Sequence, residues 1–236
     1  MALKVSRLPT GEPEVFVSIQ GEGVTAGMPS VFIRLSLCNL RCSWCDTKYT
    51  WDWERFDPKD QIISIEAEEL LRRVDATGMK NVVITGGEPL LQQRALEPLA
   101  RELEARGRRI EVETNGTILP DPDVAACIAQ WNVSPKLGNS GNPKGERGVP
   151  AAVVWFARQD HAYFKFVVTS PEDLSEVAGL VDNYGLSRER VLLMPEGTDP
   201  ATILERGRWL VEECIAHGYR FTTRHHILLW GDVRGK

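Results

Sequence analysis

The sequence predicts an α/β fold: a largely parallel sheet, covered by helices and curled into an open, partial TIM-like barrel of about six strands. Three observations lead there. Short runs that are apolar on both faces recur along the chain, as strands buried on both sides require. Segments with a 3.6-residue apolar period alternate with them, the pattern of repeated βα units. Right-handed crossovers curl such a sheet, yet 236 residues fall short of the roughly 250 that a complete eightfold barrel typically needs.

The first strand is expected at 31–35, where Val-Phe-Ile-Arg-Leu is β-branched, aromatic and aliphatic apart from one cation. Ala67, Leu70, Leu71 and Val74 mark a first helix. A strand at 82–84 leads to a helix carried by Ala95, Leu96, Leu99, Ala100 and Leu103, and strands at 110–114 and 131–134 follow. Residues 138–150 hold four glycines and two prolines and read as a flexible loop inserted in a single domain spanning 1–236. Beyond it come a strand at 164–168, a helix on Leu174, Val177, Ala178 and Val181, a strand at 191–194, and a helix on Ile203, Leu204, Leu210, Val211 and Cys214.

Composition narrows the class of function. Twenty-eight basic against 33 acidic side chains give a net charge of −5, which offers no global attraction for nucleic acid. No segment approaches the roughly 20 apolar residues of a membrane span, and residues 1–21 carry no signal-peptide run. A cytoplasmic protein with neither nucleic acid nor membrane as partner is therefore expected. Five cysteines are too few and too unevenly placed for a disulfide scaffold.

Three of the five form Cys38-Asn-Leu-Arg-Cys42-Ser-Trp-Cys45, directly after the first strand. Thiolates at this spacing can converge on one soft metal centre. A structural zinc site would need a fourth ligand, and the four histidines, Cys127 and Cys214 all lie far away in sequence. Cys127 and Cys214 fall in helical patterns and read as packing residues. A [4Fe–4S] cluster held by only three thiolates keeps one iron open for a ligand.

With Trp44 just before the third cysteine, the stretch resembles the signature of the radical S-adenosylmethionine superfamily. The resemblance implies the radical SAM fold and a [4Fe–4S] cluster on Cys38, Cys42 and Cys45. It also implies that the open iron chelates S-adenosylmethionine and that reduction yields a 5′-deoxyadenosyl radical. Trp44, Cys45 and Asp46 would lie beside that cofactor. Gly86-Gly87-Glu88 is similar to the motif that grips its methionine amino group. Ser134-Pro135-Lys136 resembles a ribose or carboxylate site, and Met194-Pro195-Glu196-Gly197 an adenine contact.

A narrower resemblance, to the 7-carboxy-7-deazaguanine synthase family, rests on Ile19-Gln20-Gly21-Glu22, Arg34, Cys45-Asp46-Thr47, Glu113-Thr114-Asn115-Gly116-Thr117 and the stretch from His226 to Gly231. It implies conversion of 6-carboxy-5,6,7,8-tetrahydropterin to 7-carboxy-7-deazaguanine, through hydrogen removal at C6, ring contraction and loss of ammonia. Arg34 would bind the substrate carboxylate in two-point fashion, since a cation inside an apolar strand needs an anionic partner. Ile19, Gln20, Gly21, Glu22, Thr85, Glu113 and His226 would surround the ring. Glu111 and Glu113 are expected on opposite faces, with Glu113 inward. Thr47 would hold Mg2+, and the positive charge of the site is expected to be confined to Arg34 and Lys136. A flavodoxin or ferredoxin as one-electron donor and a homodimer are implied as well. Two other functions stay open on the residues: an activase of glycyl-radical enzymes, and an iron–sulfur or zinc protein that senses redox state.

Overall fold

The computed structural model describes residues 1–236. Its strands, in chain order, are β1 (Leu3–Ser6), β2 (Val15–Ile19), β3 (Pro29–Leu35), β4 (Ile62–Ile65), β5 (Asn81–Gly86), β6 (Arg109–Thr114), β7 (Gln130–Val133), β8 (Ala162–Val168), β9 (Val191–Pro195) and β10 (Arg220–Phe221). They form one open sheet in the order β4-β1-β3-β5-β6-β7-β8-β9-β10, with β2 also paired to β3. From β3 to β10 every pairing is parallel, so the six expected strands stand in sequence order and a short seventh extends them. The unforeseen part is antiparallel: β1 and β2 share the free edge of β3, and β4 pairs with β1.

The four periodic helices are Ala67–Thr77, Gln93–Ala105, Asp173–Tyr184 and Pro200–His217. Their inward stripes, including Leu70, Val74, Leu96, Leu99, Val177, Val181 and Leu210, join the sheet in one core cluster of 38 buried residues. Each fully buried leucine of this kind contributes about 2–5 kcal/mol over alanine, so Leu96→Ala would loosen the helix that follows β5. Leu204, counted in the periodic stripe, instead faces out, because Ile203, Gly207, Leu210 and Cys214 already supply the inward positions of its helix. Cys127 and Cys214 are buried in the core, as packing residues should be.

The glycine-rich segment is folded rather than looped. Gly138–Ser140 makes a 3-10 turn, Lys144–Arg147 one helical turn, and Pro150–Ala157 a helix that covers the β7–β8 crossover. That helix is apolar almost all round, so no periodic stripe announces it in the sequence. Trp155 and Phe156 on it meet the fully buried Trp131 of β7 edge-on, with centroids 6.0 and 5.3 Å away.

Candidate active site

The cysteine loop leaves β3 through Leu37, which takes a positive φ of 77° and donates its backbone N–H to Thr50 O at 2.8 Å. The end of β5 presses against it. A Cβ on Gly86 would lie 1.9 Å from Leu35 O, and one on Gly87 would lie 2.1 Å from Leu37 O. The paired glycines therefore let backbone approach backbone, and the Gly87 and Glu88 N–H groups donate to Leu35 O and Leu37 O at 3.0 and 2.8 Å. The folded 138–140 turn and its neighbours brace the opposite flank. Ser43 N–H donates to Ser140 O at 3.0 Å, Arg41 N–H to Asn142 Oδ1 at 2.8 Å, and Trp44 Nε1 to Asn139 Oδ1 at 3.2 Å.

A cavity of about 460 Å3 opens over this loop at the C-terminal ends of the parallel strands. The three cysteines line it, together with Trp44, Asp46 and Thr47 from the loop, Gly86 at the end of β5 and Gly87 just after it. Ser134 and Lys136 follow β7, and Met194, Glu196 and Gly197 sit at the end of β9. Lys136 donates to Ser134 Oγ at 2.8 Å and places its ammonium 5.5 Å from the Trp44 ring centroid. Burial pushes the Cys38 thiol up to about 12, and burial also raises Cys42 despite the opposing charge of Lys136.

Another part of the lining is polar. Glu113 accepts from Gln20 Nε2 at 3.1 Å and from Thr85 Oγ1 at 2.8 Å, which gathers three of the expected substrate residues on adjacent segments. Glu111 does not face solvent as expected. Residues two apart on a strand share a face, and Glu111 is fully buried on the Glu113 side, paired with Arg109 and accepting from Thr25 and Asn132. Gly21 permits the close approach of His226, whose Nδ1 would lie 2.1 Å from a Cβ there.

Positive charge is not confined to Arg34 and Lys136. Lys165 on β8 and Arg224 after β10 also line the cavity, and both pair with Glu22. These two cations hold Glu22 far below the usual carboxylate range although burial opposes them. Arg224 also pairs with Asp46 and donates to Gly197 O at 2.7 Å, so one guanidinium ties the 19–22 segment, the cysteine loop and the β9 end together. Arg34 has its anion inside the protein: Nε donates to the buried Glu14 at 2.7 Å, and Tyr49 and Arg234 share that carboxylate. Of the Arg34 guanidinium only Nε bonds to Glu14, and Arg34 still lines the cavity.

A model of the Radical SAM superfamily matches residues 33–133. The 7-carboxy-7-deazaguanine synthase of Pyrobaculum aerophilum is 41% identical over 226 residues, covering 94% of this chain and 96% of that protein. The chain belongs to the 7-carboxy-7-deazaguanine synthase family. The protein of that name from Halobacterium salinarum is 39% identical over 242 residues, covering 93% of this chain and 90% of its own. The crystal structure of QueE from Escherichia coli superposes with a TM-score of 0.72 at 28% identity, over 96% of this chain and 95% of that one.

A 7-carboxy-7-deazaguanine synthase of the radical SAM superfamily uses a [4Fe–4S] cluster and S-adenosylmethionine, and the donor set here fits both. Three thiols share one cavity with an ammonium and open backbone at its glycines. No three His, Cys, Asp or Glu side chains close on a single point; a cluster, with a separate iron for each thiolate, does not ask for that. Three expected cofactor residues of the synthase, Glu88, Pro135 and Pro195, do not line the cavity. Glu88 is fully buried and its carboxylate accepts from Leu90 N–H, Thr114 Oγ1 and Asn115 N–H, so it ties the β5 end to the β6 end. Lys165 and Arg224 carried no motif, although Lys165, a lone cation in an apolar strand, gives the same signal that singled out Arg34. No helix is long and apolar enough to cross a membrane.

Proposed function

We propose that this chain, as one domain over 1–236, converts 6-carboxy-5,6,7,8-tetrahydropterin to 7-carboxy-7-deazaguanine with loss of ammonia, a carbon–nitrogen lyase step of queuosine-type 7-deazapurine biosynthesis. What supports it most is that one cavity is lined both by the three thiols and by the joined Gln20, Thr85 and Glu113. When bound, the cluster and S-adenosylmethionine supply one-electron chemistry that removes a hydrogen atom from the substrate.

The protein's residues bind, orient and exclude water. Each Glu113 oxygen has spare acceptor capacity after its one hydrogen bond, which suits the N–H edge of an aminopyrimidine. Gln20, the backbone of Ile19 and Gly21, Thr85 and His226 complete the ring contacts, and the terminal nitrogens of Arg34 receive the substrate carboxylate. Glu22, held by Lys165 and Arg224, fixes the position of that part of the lining. On the cofactor side Lys136 and Ser134 offer donors to a carboxylate or ribose, Trp44 offers a face to adenine, and Met194, Glu196 and Gly197 offer backbone. Thr47, whose hydroxyl lies 3.5 Å from Cys45 Sγ, would offer one oxygen to Mg2+, a hard cation that would help bind the substrate carboxylate. A homodimer, a cytoplasmic location and a flavodoxin or ferredoxin as electron donor belong to the same proposal.

The test is an anaerobic incubation of the reconstituted protein with the tetrahydropterin, S-adenosylmethionine and a reductant, with and without Mg2+. A deazaguanine and ammonia in equal amounts, formed faster with Mg2+, are expected. Absence of both products from a chain that binds its cluster and cleaves the cofactor would overturn the proposal.

A further inference from the structure

We propose that Asn142 and Trp51 set the reduction potential of the cluster held by Cys38, Cys42 and Cys45, each by donating a side-chain N–H to a ligand sulfur. All three sulfurs accept from a nitrogen: Cys38 Sγ from Leu40 N–H at 3.4 Å, Cys42 Sγ from Asn142 Nδ2 at 3.2 Å, and Cys45 Sγ from Trp51 Nε1 at 3.4 Å. The first donor belongs to the loop's own backbone. The other two are side chains, and Asn142 comes from 100 residues further along, in the folded glycine-rich segment.

The direction of the Asn142 bond is fixed by its neighbours. Its Oδ1 accepts the Arg41 backbone N–H at 2.8 Å, a group that can only donate, so the amide nitrogen must face the sulfur. The Ser140 hydroxyl donates to Leu137 O at 2.7 Å and therefore has lone pairs turned to Asn142 Nδ2, 3.2 Å away. Neither end of the amide can reverse without leaving a buried donor unpaired. Asn142 and Cys42 are 7% and 6% exposed, so water competes little for the bond. The Trp51 indole can only donate, which fixes its direction too.

Reduction adds negative charge to a cluster and its thiolates. N–H dipoles aimed at the sulfurs stabilise that added charge and raise the potential. The differential worth of one such bond is about tenfold in the ratio of reduced to oxidised cluster at a fixed potential, or about 59 mV for a one-electron couple. Asn142 and Trp51 act through the sulfurs and are positioning residues. Their effect is to bring the cluster within reach of a milder electron donor.

The inference rests on the cluster assignment made above. The experiment measures the midpoint potential of the reconstituted cluster, from EPR spectra at poised potentials, in the unaltered chain, in Asn142→Leu and in Trp51→Phe. Each variant is expected to move negative by about the tenfold step, and Asn142→Asp, which keeps the acceptor for Arg41 but sets a carboxylate oxygen against the sulfur, by more. An unchanged potential in fully iron-loaded variants overturns the proposal. If Asn142→Leu fails to retain iron, Trp51→Phe decides, and an unshifted potential there overturns it equally. An unaltered chain that binds no iron fails the cluster assignment, and this inference with it, whereas a loaded chain indifferent to both donors fails this inference alone.

Discussion

Arg224→Ala removes the one guanidinium that touches three walls of the cavity. It deletes the Nε bond to Glu22 at 3.0 Å, the ion pair with Asp46 and the Nη1 bond to Gly197 O at 2.7 Å. Deleting one partner of a buried ion pair costs about 3–5 kcal/mol. Glu22 keeps Lys165, and the Asp46 side chain is 30% exposed and can recruit water, so the lower end applies. For a chain of this size about 3 kcal/mol lowers Tm by roughly 6–12 °C. The assay is anaerobic thermal unfolding followed by circular dichroism, with Arg224→Lys beside it. Lysine keeps the charge but cannot reach three acceptors with a planar fork, so an intermediate loss is expected. A Tm that falls by less than about 2 °C in Arg224→Ala would refute the view that this residue joins the walls.

Other substitutions probe separate parts of the site. Gly86→Ala would set a methyl 1.9 Å from Leu35 O at a φ of 139°, so a loss of more than about 4 kcal/mol or insolubility is expected; a soluble variant with an ordinary urea midpoint would contradict it. Arg34→Ala should lower kcat/KM for the pterin by at least about tenfold while the cluster absorbance stays, because Glu14 retains Arg234 and Tyr49. Burial lowers the pKa of His226 despite the attraction of Glu22, so the folded state binds its proton less readily than the unfolded chain. The stability linked to neutral His226 is then present above the unfolded value of about 6.5 and is lost as pH falls through the folded value. Urea midpoints at neutral and mildly acidic pH should diverge more in the unaltered protein than in His226→Gln.

The parallel half of the sheet was legible because its strands are apolar on both faces and its helices repeat at 3.6 residues. β1, β2 and β4 were not, since Leu-Lys-Val-Ser and the half-buried Val15–Ile19 alternate too weakly to stand out from a loop. The cysteine loop was legible because its spacing is local. The partners that brace it were not: Asn142 reaches Cys42 across 100 residues, and Arg224 reaches Asp46 and Glu22 across 178 and 202. Glu111 was misplaced for a different reason, since the twofold period of a strand puts it beside Glu113 and only the Arg109 and Asn132 contacts explain how its charge is tolerated.

The sheet stays open, yet the cavity has a wall where strands are missing. Gly23 N–H donates to Thr222 Oγ1 at 2.8 Å and His225 N–H to Gly21 O at 2.9 Å, alongside the Arg224 and Glu22 pair. This seam joins segments about two hundred residues apart, so it forms late in folding, when the cost of closing so long a loop is met by contacts already made elsewhere. It is also the stretch of wall that can part without breaking a strand ladder, so its amides should exchange with solvent faster than those of β3 and β5. A pterin or S-adenosylmethionine molecule entering from that side would meet an unzipping polar contact instead of a rigid barrel.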